Sequence, residues 1–388
     1  MRHAITRPDQ SPVPCLLMRG GTSRGPFFDA RDLPADTAGR DAVLLAVLGS
    51  PDPLQVDGLG GGHPLTSKAG IVAPGAPGSG VDVEWTFAQL QPDSDQVDTT
   101  PNCGNMLAAV LPFAIETGMV TPTGDTTTAR VLTRNTGAVA EITVSTPAGL
   151  DGRRCVRYGG DARIDGVPGT AAPVRIGFLD TAGSVAGSLL PTGNVRDTVE
   201  VPGLGPVDVT LIDKGQPLVI LDARSVGASG AESPEAIDAD EGLRARIEAL
   251  RIVAGHAMGL GDVTDRPYPK MTLVSAPSRG GSISTRSLIP RRTHRSIGVL
   301  AAVTAATAVV LPGSVAHALA TAPPVVTTEA GSEATVGVEH PSGEFSVTLG
   351  LDPDDPARVT RSALLRTARL IMAGSAMVPS ALLEESSS

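Results

Sequence analysis

Aromatic residues are scarce in this chain: Phe, Tyr and Trp together make up 2% of its 388 positions. So little ring surface excludes the stacking platforms that hold single-stranded nucleic acid. Positive charge is not in excess either. The balance of 31 basic against 41 acidic residues leaves a formal net charge of −10. That excludes a surface tracking phosphates, so no nucleic-acid partner is expected. A small anion stays within reach, because the potential of a cleft is set by the residues lining it. Cys15, Cys103 and Cys155 are too few and too scattered for a disulfide framework or a zinc site. The six histidines show no ligand spacing on one helix, so no metal is expected. No Gly-Lys-Ser/Thr follows the Gly58 to Gly62 loop, and no dinucleotide fingerprint joins a strand to a helix, so no cofactor is expected. Long apolar runs are missing too. The longest, Ile297 to Leu311, is short of the roughly 20 residues of a membrane span and reads as a buried helix. Met1 to Pro14 has charges and prolines but no apolar signal core. No membrane partner is expected, and the cytoplasm is the default compartment.

What is present is an ordinary globular composition, 41% apolar and 19% charged, at a length that suits two domains. The chain also repeats itself. Asp29-Ala30-Arg31 returns as Asp222-Ala223-Arg224, each after an apolar stretch. The same spacing carries Cys103, before one apolar run, onto Ser296, before another. Asn135-Thr136-Gly137 and Pro341-Ser342-Gly343 form a third pair at a longer spacing, so the second copy carries an insertion. Two similar domains are therefore expected, 1–185 and 186–388, facing each other across a cleft, with the C-terminal segment free to return to the first. The linker is expected within Asp180 to Gly193. Alternation and turn residues predict strands at Val13 to Met18, Gly25 to Phe28, Lys68 to Val72 and Val81 to Gln89. Helices are predicted over Asp41 to Leu48, stopped at Gly49, and over Glu241 to Met258. Two further helices, buried on all sides, are predicted over Asn102 to Gly118, with Pro112 inside, and over His294 to Leu311. The tail Arg361 to Met372 fits helix or strand.

Several short motifs then stand together. Met18-Arg19-Gly20-Gly21-Thr22-Ser23, Asp57-Gly58-Leu59-Gly60-Gly61, Thr66-Ser67-Lys68 and Asn102-Cys103-Gly104-Asn105 resemble the PrpF family of methylaconitate isomerases. So do Leu190-Pro191-Thr192-Gly193, Pro269-Lys270 with Arg286 and His294, His340-Pro341-Ser342-Gly343 and Arg366-Thr367-Ala368-Arg369. The resemblance spans nearly the whole chain. It implies an α+β fold of diaminopimelate-epimerase type, two pseudo-symmetric domains each wrapping a sheet around a central helix. Pro14-Cys15-Leu16-Leu17-Met18, Gly25-Pro26-Phe27-Phe28 and His63-Pro64-Leu65-Thr66-Ser67-Lys68 look more like the 4-oxalomesaconate tautomerases within that family. Arg24 departs from the family pattern, which has Lys there, and His294 to Gly298 lacks the usual Thr-Gly pair.

Cys103 is the sharpest catalytic candidate. A lone cysteine is ordinarily structural, and Cys15 and Cys155 keep that reading. Cys103 precedes a predicted helix, where N–H groups and the dipole favour a thiolate able to move a proton. Asn102 and Asn105 are expected to orient it, and Gly104 to let a ligand approach the backbone. Lys68, by position alone evenly balanced between a solubilising surface lysine and a cleft residue, gains a role mainly from the resemblance, as the base or as a carboxylate's partner. Which of Cys103 and Lys68 is the base stays open. Arg19, Gly20, Gly21, Thr22, Ser23 and Ser67 are expected to present donors to the substrate. Arg279, Arg286 and His294, with Ser296, are expected around the second helix start, where they could clamp a second carboxylate.

Ser296 bears on mechanism. Inverting a carbon needs a base on one face and an acid on the other, and Ser is a poor base at neutral pH. Its place opposite Cys103 in the repeat disfavours epimerisation and suits a proton shift along an allylic or keto–enol system. The expected activity is therefore that of a cofactor-independent isomerase of an unsaturated di- or tricarboxylate. 4-Oxalomesaconate comes first and 2-methylaconitate second. A chain that only binds a tricarboxylate, or assists an aconitase-like partner, is the alternative from another class. A small polycarboxylate is the expected partner, and a homodimer is compatible with the sequence.

Overall fold

The computed structural model describes residues 9–178, 182–328, 331–355 and 358–384. Positions 180 and 181 of the expected linker lie outside them. The chain divides into two compact units. One runs up to Ile176 and resumes at Arg366; the other spans Gly177–Leu365.

The first unit opens with the hairpin of β1 (Gln10–Gly20) and β2 (Ser23–Asp29). Helix α1 (Thr37–Leu48) begins earlier than the apolar spacing predicts, because the Asp36 side chain accepts the Gly39 N–H at 2.8 Å and caps it there. It stops as predicted at Gly49, whose φ of 77° only glycine adopts without cost. Strand β3 (Lys68–Pro74) pairs parallel to β2 and antiparallel to β4 (Val83–Leu90), with a short β5 (Val97–Asp98) beside it.

The predicted helix over Asn102 to Gly118 is instead two short pieces, α2 (Gly104–Leu107) and α3 (Val110–Glu116). Pro112 is the reason. It has no N–H to donate to the carbonyl four residues back, so it fits only the first turn of a helix. The chain accordingly tightens, Ala108 and Ala109 bonding three residues back, and restarts at Val110. Strands β6 (Thr126–Thr133) and β7 (Val139–Ser145) form the closing hairpin around the Asn135-Thr136-Gly137 turn. Val43, Leu44, Val47 and Leu48 of α1 pack on Phe28, Ala69, Ile71, Ala88 and Leu90. α2 lies against β1 and β2, and α3 against β3, β4 and β7, with Phe113 5.9 Å from Phe27, centroid to centroid.

Strand β8 (Pro173–Phe178) leads on, and the second unit repeats the plan. Strands β9 (Asp197–Val201), β10 (Gly205–Asp213) and β11 (Pro217–Asp222) pair antiparallel in sequence. Helices α4 (Pro234–Ala239) and α5 (Glu241–Ala257) follow, capped by Ser233 and Asp240. Strand β12 (Lys270–Ser275) is parallel to β11 and antiparallel to β13 (Ile283–Leu288). These are the relations of β3 to β2 and β4. Then come α6 (Val299–Val310), α7 (Val315–Leu319), β14 (Val325–Thr328) and the hairpin of β15 (Gly331–His340) with β16 (Gly343–Leu351). β15 runs parallel to β13 as β6 does to β4, and the β15–β16 turn is at Pro341-Ser342, the predicted counterpart of the 135–137 turn.

The sheet of this unit carries a core on each face. One packs Leu243, Ile247, Leu250 and Ala254 of α5 on Leu211, Leu221, Met271 and Leu273. The other surrounds α6, whose residues Ala301 to Val309 are all buried. Ala, Val and Thr along this helix let strands come close on every side, as a central helix needs. The expected α+β plan is thus present. The tail is strand: β17 (Val359–Pro379) pairs with β16 through Leu364 and with β1 from Ala368 to Pro379, before α8 (Ala381–Glu384).

Candidate functional site

In the first unit the Gly20-Gly21 turn is built against the start of α2. Gly21 has φ 52°, and a Cβ there would lie 2.2 Å from Asn105 Oδ1; one on Gly20 would lie 2.4 Å from the Asn105 carbonyl. Asn105 Nδ2 in turn donates to Thr22 Oγ1 at 3.0 Å. Two motifs far apart in sequence are therefore one piece of structure. Arg19 fastens it to β17, its Nη1 donating to Gly21 O at 2.8 Å and Thr367 Oγ1 at 3.0 Å. Burial, and Arg369 beside it, hold the Arg19 guanidinium below its ordinary value. The Ser23 hydroxyl is buried and has no hydrogen-bond partner among the described residues. Ser67 is fully buried, its hydroxyl engaged by Gln55 Oε1 at 2.8 Å and His63 O at 2.9 Å. It shapes the loop that delivers Lys68.

Lys68 is 7% exposed. Its ammonium donates to Gln89 Oε1 and sits 4.9 Å from the centre of the Phe87 ring. Burial pushes it below the usual lysine range, partly opposed by the negative charge that Cys103 can carry. Arg366, buried at 3% exposure, feels the same thiol; burial brings its guanidinium down to about 10, with Cys103 acting in the other direction. Cys103, Lys68 and Arg366 are thus one electrostatic group. Arg366 was not among the sequence candidates; its only signal was the Arg366-Thr367-Ala368-Arg369 motif.

Cys103 is the N-cap of α2, half-buried, with no side-chain cap bond. Its N–H donates to Asn102 Oδ1 at 2.7 Å, whereas Asn105 is engaged by Thr22. Of the two asparagines expected to orient the cysteine, one does so locally and the other anchors the glycine turn. Gly104 opens α2. Since α2 has four residues, its dipole is small; the charged groups that feel the thiol are Lys68 and Arg366.

In the second unit α6 starts later than predicted. Its N-cap is Gly298, not Ser296. Ser296 lies two residues earlier, its N–H donating to His294 Nδ1 at 2.9 Å and its hydroxyl 3.3 Å from His340 Nε2. Burial, then the Lys270 charge, hold the His294 imidazole below its ordinary value. Arg286 is not with this group, whereas Arg279 meets it at His340. Arg286 stands opposite Leu273, on the α5 side of the sheet, and donates to Glu232 O at 2.6 Å. Arg279 donates to His340 O and to Gly343 O at 3.1 Å. Both line a cavity of about 640 Å³ with Asp222, Arg224, Ser229 and Ser275. Among the described residues no group of three or more His, Cys, Asp or Glu is placed to hold a metal, and no helix is long and apolar enough to cross a membrane.

Comparison with known proteins matches residues 10–379 to the family described as PrpF protein. The chain is 50% identical over 362 residues to a (4E)-oxalomesaconate Delta-isomerase of Novosphingobium sp. (strain KA1), covering 93% of this chain and 96% of that protein. It is 48% identical over 365 residues to a 4-oxalomesaconate tautomerase of Pseudomonas putida, covering 94% and 96%. Among solved structures, a methylitaconate-delta-isomerase superposes with a TM-score of 0.80 at 34% identity, covering 97% of each chain.

Proposed function

The chain belongs to the PrpF family and is an isomerase, and from that premise we propose that it tautomerises 4-oxalomesaconate without a cofactor. The observation that carries the chemistry is the state of Lys68. Lys68 is buried beside Phe87 and aimed by Gln89, and burial makes it give up its proton more readily than a free lysine, which suits a base for an activated C–H proton. Deprotonation spreads negative charge over the conjugated carbonyl and carboxylates. In this reading Arg366 and the backbone of the Gly20-Gly21 turn take up that charge. Cys103, coupled to Lys68 and Arg366, gives its thiol proton to another atom of the substrate and the tautomer results; passage of a proton from the Lys68 ammonium back to the thiolate resets the pair. Arg19 and Asn105 act by holding the turn, and Asn102 by holding the cysteine backbone.

The second unit has Gly298 at the cap position and no thiol, which supports a proton shift over inversion of a carbon between two cysteines. Tricarboxylate binding without turnover is the competing reading, and 2-methylaconitate the competing substrate.

The test is ultraviolet monitoring of purified protein with 4-oxalomesaconate and, in parallel, 2-methylaconitate. Rapid change with the first alone is expected. Change with the second alone moves the substrate assignment, and silence with both leaves binding as the function. Undiminished turnover in both Lys68→Ala and Cys103→Ala would remove the mechanism.

A further inference from the structure

Strands β2, β1 and β17 bring three arginines into register. Arg19 is the cross-strand partner of Arg24 on one side and of Arg369 on the other. Residues paired across strands share a face of the sheet, and their neighbours along the strand take the other face. Gly20 faces α2, since a Cβ on it would lie 2.4 Å from the Asn105 carbonyl oxygen. The arginine row therefore lies on the face turned away from α2 and its N-cap Cys103. Like charges directly opposite one another are destabilising. None of the three arginines has a carboxylate within ion-pair distance among the described residues.

Arg19 and Arg369 also line one cavity of about 530 Å³, built from residues of the first unit alone. Pockets for small molecules span roughly 300–1,000 Å³. Only Nη1 of the Arg19 guanidinium is engaged, by oxygens of Gly21 and Thr367. The exposed Arg369 side chain makes no hydrogen bond among the described residues. Tyr158, in the same wall, donates its hydroxyl to Glu116 Oε1 at 3.1 Å, so that carboxylate is taken up by the tyrosine. Val167, Pro168 and Ile371 supply an apolar side, Ile371 being 45% exposed. Two unneutralised guanidiniums beside an apolar wall suit a small organic acid: the forks match carboxylate or phosphate oxygens, and the wall takes an apolar body.

We propose that this cavity is a second anion site, in which Arg19 and Arg369 together hold the carboxylate or phosphate group of a small organic acid whose apolar body rests on Val167, Pro168 and Ile371. It belongs to the face of the β1 hairpin opposite α2, and it does not rest on the isomerisation assigned to Lys68 and Cys103.

The two tyrosines make the test specific, since Tyr158 lines the cavity and Tyr268 belongs to the other unit. The full chain with ring-labelled tyrosine is titrated with benzoate and, separately, with phenyl phosphate, and both signals are followed by NMR. A saturable shift of Tyr158, with Tyr268 still, is expected for at least one of them, and the tighter of the two names the head group. Loss of one charge-assisted contact predicts binding at least about tenfold weaker in Arg369→Gln. Arg369→Lys, which keeps the charge and loses the fork, is expected in between. Val167→Asp sets a carboxylate against the same guanidiniums and must weaken binding too, which keeps the proposal testable should Arg369→Gln fail to fold. No saturable shift of Tyr158 with either anion, or wild-type affinity in Arg369→Gln or in Val167→Asp, overturns the proposal.

Discussion

Gln89 holds Lys68 in place, and is itself held: while its Oε1 accepts from the ammonium, its amide nitrogen donates to Pro64 O and Ser67 O at 3.1 Å each and to Leu90 O at 2.8 Å. The amide cannot turn over without breaking those bonds, so an acceptor always faces the lysine. Replacing Gln89 with Leu removes the stabilisation of the charged amine. The acidic limb of the kcat/KM–pH profile then moves to lower pH and kcat falls, whereas a purely structural role would lower both parameters without moving the limb.

Lys68→Met abolishes the base and is expected to cost roughly 100- to 10,000-fold in kcat. Lys68→Arg fares no better, because a guanidinium stays protonated throughout the working range. Steady-state kinetics at saturating substrate decides both.

The same lysine makes stability depend on pH with a definite sign. Its folded pKa is depressed below the unfolded value near 10.4, so between the two the unfolded chain binds more protons. Wild type therefore gains stability as pH rises through that window. Below it both states are charged and the full burial penalty applies. Lys68→Met lacks this gain, so its unfolding temperature relative to wild type is expected to fall as pH rises through the window. Scanning calorimetry at neutral pH and at pH 10 on both proteins checks it.

Gly21→Ala meets a positive φ and the Asn105 side chain together. A loss of about 1–3 kcal/mol is expected, with a fall in turnover as the Asn105–Thr22 bond is displaced. Chemical unfolding, with activity in parallel, checks it.

Arg251 is wholly buried in α5. It pairs with Glu248 and donates to the carbonyls of Val263, Thr264 and Tyr268. Arg251→Met leaves these acceptors without their donor, so about 3–5 kcal/mol of stability is expected to be lost. Urea titration reads it as a lower midpoint at unchanged slope.

Much of this architecture is legible in the sequence because it repeats. Asp29 and Asp222 each cap a short turn by accepting the N–H two residues on, at 2.9 Å, and each pairs with the arginine there. A repeated Asp-Ala-Arg records that local geometry directly. Gly49 was equally readable, since a left-handed stop has a residue preference of its own. Less legible was where a helix begins when no side chain caps it: α6 starts after Gly298, and spacing from Cys103 pointed to Ser296. Pro112 was visible, yet whether it kinks a helix or restarts one depends on the strands packed around it. Arg366 is hard to single out from sequence for a different reason: it stands out as a desolvated cation, and desolvation is created by chain segments remote in sequence. Proximity along the chain groups Arg286 with His294, but strand alternation sends it to the other face.

The pairing of β1 with β17 sets an order on biosynthesis. Gln10 finds its partner in Pro379, so β1 lacks this neighbour until β17 has been made and has left the ribosome. The unit made of residues 177–365 has all its strand partners earlier, except where β17 completes it, and can consolidate while the first is still open. During that interval β1 exposes an unpaired edge carrying Val13, Cys15 and Leu17. A ribosome stalled before β17 would therefore carry an aggregation-prone β1 edge, and that source of dependence on chaperones should end once β17 has emerged and paired.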